Sequence, residues 1–373
     1  MVKMLPIQKV IEKISNKMIQ IPIGQPQFAD VRYTPHQFSI NNFNPIRTTD
    51  SSFKLGFVDG GNAPIYDSSN ISVCLSRIYF NVYNDRKRIN PKHLPQRMDF
   101  YVICYTVAEK ERIFYETELV PVKPEWAKYL PDIEDLKFYS FDPSLMTGRF
   151  RIPISRIADT ARRFAEWTYA GLLIEHELDE GDAVIRDGSL QTTVTNERKY
   201  SNKVLKNAID KDVVLLGLSK TSTLFTSTGY PLFAAIAELS EQITFGNDAW
   251  YYYPIVSIDQ PDHRAEMYAV KLHPNSEYVF RLEFLQDQAE KMTKDEIDKY
   301  VFALSMNAKD PSFPGYPYGL IDADRFARVS GSEKASQSFQ FLSCASSSGV
   351  LKRLKKCLKT CDAHEILNQL IGV

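Results

Sequence analysis

In this 373-residue chain the residues best placed to do chemistry are aspartates that end apolar runs. In Lys54–Asn62, KLGFVDGGN, the run Leu55-Gly56-Phe57-Val58 ends in Asp59, and Gly60 and Gly61 follow at once. A buried strand that ends this way delivers a carboxylate to the rim of a sheet. The glycines let the chain turn and let a charged ligand come close. The stretch Asp182–Leu190 repeats the arrangement: Ala183-Val184-Ile185 runs to Asp187, and Gly188-Ser189-Leu190 turns away. Two such acids on neighbouring strands can share a metal ion. Their hard oxygens suit Mg2+ or Mn2+. Two such ions roughly 3.5–4 Å apart activate a water and stabilise the leaving oxygen of a phosphodiester.

That chemistry usually takes three or four carboxylates, so the others must come from helices. The helical pattern Ser155–Leu178, with Ser155 as its N-cap, offers Glu166 and Glu175. They are nine positions apart, on opposite sides of a helix, so only one can face a shared site. Asp322 and Asp324 follow the Gly315–Leu320 turn, GYPYGL, in which Tyr316 and Tyr318 can position a phosphate or stack on a base. Lys220 stands just past the apolar run Val213–Leu218, where a basic residue can meet a phosphate. Each has a plainer alternative: an Asp-Gly turn, a surface glutamate, a surface lysine, tyrosines packed in a loop.

Other chemistries are excluded. Gly217–Thr223, GLSKTST, lacks the full phosphate-binding pattern of a P-loop ATPase. The histidines at 36, 93, 176, 263, 273 and 364 form no spaced metal motif, and Ser189 has no serine-hydrolase context. Cys74, Cys104, Cys344, Cys357 and Cys361 include no C-x-x-C pair, which implies a reducing, cytoplasmic setting. A net charge of −1 leaves nucleic-acid binding to local basic patches. Two candidates are Arg198–Lys211 and Lys352–Lys359, each also readable as a solvated face. No apolar run is long enough to span a membrane, and the N-terminus has no signal-peptide pattern.

The elements that must position these residues follow from periodicity. An amphipathic helix over Ile7–Ile19 leads into an irregular arm, 20–52, packed on the body or reaching a partner subunit. Strands are predicted at Lys54–Asp59, Ile71–Tyr83, Asp99–Val107 and Arg112–Val120, the spacing of an antiparallel meander. After the connection 121–152 come the helix bearing Glu166, the strand Asp182–Asp187, a basic helix or loop at Asn196–Asp210, and the strand Val213–Leu218, apolar enough to be covered on both faces. Further on are a helix at Pro231–Leu239, strands at Ala249–Ile255, Met267–Leu272 and Tyr278–Glu283, and a helix opened by a Thr293/Glu296 capping box. Short and C-terminal helices follow at Ile321–Val329 and Leu351–Leu370. This order is α/β: an RNase H-like mixed sheet flanked by helices, with insertions.

Four stretches in order, F-V-D-G-G, R-D-G-S-L, G-L-S-K-T-S and G-Y-P-Y-G-L-I-D-A-D, resemble the NurA family of nucleases of DNA end resection. The resemblance runs from about residue 53 to 330. It implies an RNase H-like, Mn2+-dependent deoxyribonuclease, with Mg2+ as an alternative ion. It also implies a homodimer that acts on single-stranded DNA and duplex ends with a HerA-type hexameric ATPase. Asp59 and Asp187 match the family's strand aspartates, Glu166 its helix glutamate and Tyr316 its tyrosine. Asp324 stands where the family commonly has a histidine. The metal set is then Asp59, Glu166, Asp187 and Asp324, with Lys220 and Tyr316 at the phosphate. The domains expected are an N-terminal contact segment, 1–52, the nuclease domain, 53–330, and a C-terminal helical segment, 331–373. Rival readings are an actin- or sugar-kinase-like phosphotransferase and a silent adaptor of a DNA motor.

Overall fold

The computed structural model describes residues 5–18, 21–50, 52–146 and 148–358. In chain order, α1 (Pro6–Met18) precedes four strands, β1 (Lys54–Asp67), β2 (Ile71–Asn84), β3 (Arg97–Glu109) and β4 (Arg112–Pro121). Next come α2 (Arg156–His176), β5 (Ala183–Asp187), α3 (Glu197–Asp210), β6 (Val214–Ser219) and α4 (Leu232–Ser240). β7 (Trp250–Tyr252), β8 (Ala265–Lys271) and β9 (Phe280–Leu285) precede α5 (Lys294–Asn307), α6 (Tyr318–Ala327), α7 (Gly331–Ser347) and α8 (Leu351–Leu358). Short strands and single turns of helix join them. Among the described residues, no helix is long and apolar enough to cross a membrane.

The chain divides into two compact units: residues 1–51, 187–191 and 216–318, and residues 52–186, 192–215 and 319–373. The second holds the meander that the sequence predicted. β1 pairs antiparallel with β2, β2 with β3, and β3 with β4. The β3–β4 hairpin turns on Lys110 and Glu111, both at positive φ (44° and 67°), the backbone that suits a two-residue hairpin loop. β5 pairs parallel with β1, Ala183 opposite Leu55 through Arg186 opposite Val58. The sheet is therefore mixed. From Ser72 to Tyr83 every β2 residue is buried, which requires cover on both faces. α2 packs on β1, β2 and β3, and α3 packs on α2. Ala323 and Ala327 of α6 join a core cluster with Tyr79 of β2. Asn81 Nδ2 donates to the Gly319 carbonyl at 2.8 Å and ties the same helix to β2.

In the other unit the strand pairings are antiparallel. β6 pairs with β9, β9 with β8, β8 with β7, and β7 with the short strand Phe43–Pro45. Its core joins Leu232, Phe233 and Ile236 of α4 to Phe43, Trp250, Tyr252 and Met267. Phe28, Tyr33 and Phe38 of the N-terminal arm pack against that cluster, so the arm is anchored on its own unit. α5 opens on the expected capping box, with Thr293 and Glu296 exchanging hydrogen bonds.

Several expectations shift in detail. Ser155 precedes α2, but its side chain makes no capping hydrogen bond. α7 lies in the segment 331–373 expected to be helical, but it was given no bounds of its own: GSEKASQSFQFLSCASS has little apolar periodicity. Its start carries a signal all the same, since Ser330 accepts from the Glu333 N–H at 3.1 Å. The expected C-terminal helix is described over Leu351–Leu358. Its continuation to Leu370, with Lys359, Cys361 and His364, lies outside the described residues, as does Ile19 of the first helix.

Candidate metal centre

Strand alternation decides which side chains can meet, because neighbours along β1 point to opposite faces. A Cβ on Gly60 would lie 2.6 Å from Glu166 Oε1, on the α2 side. A Cβ on Gly61 would lie 2.4 Å from the Ala327 carbonyl, on the α6 side. Asp59 alternates with Gly60, so its carboxylate points to the α6 face. The parallel register then carries Asp187 to the same level, one step beyond the Arg186–Val58 pair.

α6 supplies the third acid. One carboxylate oxygen from each of Asp59, Asp187 and Asp324 lies within 4.8 Å of the others. Asp59 is buried, Asp187 half-buried and Asp324 exposed, so the group opens to solvent on one side. Oxygens opposite each other across an octahedral Mg2+ or Mn2+ site stand about 4.2 Å apart. Three hard, anionic donors at this separation fit such an ion with small side-chain movements. The Gly60 N–H donates to Asp59 Oδ1 at 2.7 Å and fixes that carboxylate.

Asp187 has further partners. Lys220 Nζ lies 2.7 Å from its Oδ2, and the Tyr316 hydroxyl donates to its Oδ1 at 3.3 Å. The Lys220 ammonium also sits 5.5 Å from the centroid of the Tyr316 ring. Both residues expected at the phosphate thus stand beside Asp187. The turn after Asp187 is anchored as well. Gly188 takes φ 105°, a conformation glycine adopts without strain, and its N–H donates to the Leu218 carbonyl at 2.8 Å.

Sequence reasoning missed the group that holds this turn. Glu283 on β9 is fully buried and accepts from Ser189 Oγ at 3.0 Å and from the Leu190 N–H at 2.7 Å. Arg281 Nε and His263 Nε2 lie 2.9 Å and 3.0 Å from the same carboxylate. Burial pushes Glu283 up, but Arg281, His263 and the Leu190 N–H outweigh it and hold the carboxyl at about 2. The available signal was an acid inside the apolar stretch FRLEFL.

Glu166 lies elsewhere than expected. It is buried on the α2 face, opposite the face to which Asp59 points, and it is not in the aspartate group. Its Oε1 accepts from Arg162, and its Oε2 accepts from Arg186 at 3.1 Å. Arg186 stacks over Trp167, 4.5 Å from its centroid. The alternative acid, Glu175, is exposed and lines a surface recess with Lys199 and Lys203. Asp322 is buried and anchors α6: Asn81 and Tyr83 donate to its Oδ2 at 3.1 Å and 3.4 Å, and Arg88 lies 3.3 Å away.

Among known proteins, no curated sequence matches the chain. A NurA crystal structure is similar over 86% of this chain and 92% of that one, at 9% identity and a TM-score of 0.44. An A. aeolicus Argonaute is similar over 74% of this chain and 28% of that one, at 10% identity and a TM-score of 0.29. Drosophila Piwi is similar over 75% of this chain and 30% of that one, at 7% identity and a TM-score of 0.28. At these scores the structural likenesses carry no argument, and the assignment rests on sequence. The NurA domain matches residues 53–329, most of the chain, and the protein therefore belongs to the NurA domain family.

Proposed function

We propose that this protein is a divalent-metal-dependent DNA nuclease in which Asp59, Asp187 and Asp324 hold the ion. Family membership supports a NurA-type nuclease in general. The observation that carries the finer reading is the approach of the three aspartates to within 4.8 Å. The order of an antiparallel meander, β1 to β4, then the helix α2 and the strand β5 parallel to β1, supports an RNase H-like reading of this part of the chain, with β4 added to the three-strand pattern.

Bound Mn2+ or Mg2+ would supply Lewis acidity and an activated water. The chain's own residues do the rest. Asp59 and Asp187 are fixed at one level by the β1–β5 register, and Asp324 is brought up by α6. Tyr316 orients the Asp187 carboxylate through its hydroxyl. Lys220 sets a positive charge at the rim of the group, where a DNA phosphate must arrive. On α3, the basic residues Lys203 and Lys206 are further candidates for contact with the DNA backbone.

Family resemblance supports action in DNA end resection with a HerA-type hexameric ATPase and a homodimeric assembly. The exposed Leu5 just before α1 and Ile7, Val10, Ile11 and Ile14 on it support a partner contact at that helix. Free thiols at Cys74, Cys104 and Cys344 fit the reducing, cytoplasmic setting.

The test is incubation of the pure protein with labelled single-stranded and duplex DNA in Mn2+, Mg2+ or EDTA. Cleavage in Mn2+ that EDTA abolishes, and that Asp59→Ala and Asp187→Ala each remove without loss of folding, is expected. Full cleavage by either variant, or cleavage in EDTA, would overturn the assignment.

A further inference from the structure

We infer that Glu166 is a positioning residue that fixes the spacing of the two strand ends carrying Asp59 and Asp187; this rests on the metal reading above. Its carboxylate is 4% exposed as a residue and has one arginine on each oxygen. Arg162 donates to Oε1 and, through the same Nη1, to the Gly60 carbonyl at 3.0 Å. Gly60 is the residue after Asp59. Arg186, which donates to Oε2 at 3.1 Å, is the residue before Asp187. One carboxylate therefore ties the backbone beside the first metal acid to the side chain beside the second, from the face of the sheet away from both.

The local sequence is shaped around this tie. Gly60 leaves the space that the Glu166 carboxylate fills, since a Cβ there would meet Oε1 at 2.6 Å and Ile78 Cδ1 at 2.9 Å. Trp167, next to Glu166 on α2, lies under the Arg186 guanidinium, 4.5 Å from its carbon to the ring centroid, and holds it flat toward the helix. The Trp167 Nε1–H in turn donates to Glu197 Oε1 at 2.8 Å, which fixes the indole. A buried ion pair adds little net stability but is costly to break. Its use here is geometric: it stiffens the separation between β1 and β5 at the level of the aspartates. Groups outside the ligand set that orient the ligands commonly set metal affinity about 10–100-fold.

The experiment is Mn2+ titration by calorimetry of the full-length protein and its variants, well below their melting temperatures, with circular dichroism as the folding check. Glu166→Gln keeps an oxygen for Arg162 and loses the acceptor for Arg186. Arg186→Met removes the other side of the same link. Each is expected to weaken Mn2+ binding by about 10-fold at unchanged stoichiometry. The double variant is expected to be no worse than the poorer single one, because both remove one interaction. Glu166→Gln abolishing binding or lowering its stoichiometry, with Arg186→Met binding normally, would make Glu166 a ligand and overturn the inference. Wild-type affinity in all three variants would overturn it too. If the unmodified protein binds no Mn2+, the metal reading itself fails and this inference falls with it. If Arg186→Met does not fold, Glu166→Gln against the double variant gives the same comparison, since the double variant leaves no Glu166 carboxylate buried without Arg186.

Discussion

Lys220 and Asp187 form an ion pair of 2.7 Å, with Tyr316 against both. The ammonium thus already neutralises a carboxylate that a bound cation would use. In the proposed metal-bound state, lysine and metal would compete for Asp187, which would leave Lys220 to meet a phosphate.

Lys220→Met removes that competitor. Mn2+ affinity is expected to stay level or rise about 3-fold, while the DNA cleavage rate falls by about 10-fold or more, the size of effect that a charge aimed at developing negative charge commonly has. Parallel metal titration and cleavage assays separate the two. Weaker Mn2+ binding in the variant would remove the competition argument.

Asp324 brings an oxygen where the family resemblance leads one to expect a histidine. Asp324→His is expected to keep Mn2+ binding and to lose Mg2+ binding, because imidazole suits transition metals and Mg2+ takes oxygen ligands. The sign of the pH effect follows: imidazole binds metal only when neutral, so the variant's Mn2+ affinity drops as pH falls through about 6.5, the ordinary histidine value. Titrations of both ions at pH 5.5 and 7.5 check this. An unchanged Mg2+ affinity would place Asp324 outside the ligand set.

Gly61 is the point at which β1 meets the end of α6. Its added Cβ would come within 2.4 Å of the Ala327 carbonyl, which is backbone and cannot rotate away. Gly61→Ala is expected to lower stability by about 1–3 kcal/mol and to weaken Mn2+ binding by displacing the helix that carries Asp324. Thermal melts and titration measure the two effects. A variant as stable as the parent would mean that α6 shifts freely.

Glu283 gives the fold an acid-sensitive anchor. Its carboxyl is held at about 2, below its ordinary 4.5, chiefly by Arg281 and His263 against the cost of burial. A depressed carboxylate contributes stability above its unfolded value and loses it as pH falls through the folded one. The contribution is therefore whole above about 4.5 and drains away toward 2. Glu283→Gln is expected to melt well below the parent at pH 7, with the gap narrowing from pH 4.5 downward. A gap that is constant with pH would show that charge on Glu283 is not what the site uses.

Much of this was legible in the chain before folding. Asp59, Asp187 and Asp324 each sit in a short stretch whose glycines and apolar run mark a strand end or a turn, and period-two alternation fixes which neighbours share a side. Glu166 was legible as one side of a helix, but not as one face of a sheet. Helix phase does not say on which face α2 will land; packing of Leu173 and Leu178 against Gly56 decides that. Glu283 was hidden for a related reason. A charge in FRLEFL looks like solvent exposure until Arg281, His263 and Leu190 are brought around it by pairings far apart in sequence. The bounds of α7 were not legible because its helix rests on capping and polar contacts, such as Tyr101 donating to Gln337 at 2.7 Å, more than on an apolar stripe.

The pairing of β5 with β1 makes the charge of the site a matter of one residue. β5 is five residues long and ends in Arg186-Asp187. A shift of one position along β1 would exchange the two ends, putting a guanidinium where the carboxylate now faces Asp59 and an acid against Trp167. With Asp59 and Asp324 unchanged, that guanidinium would pair with them and cancel much of the negative charge that draws in a cation. A single inserted or deleted residue between Gly181 and Asp187 is thus enough to close a cation-gathering rim with an ion pair of its own, so the length of this short strand is as much a determinant of chemistry as the identity of its last residue.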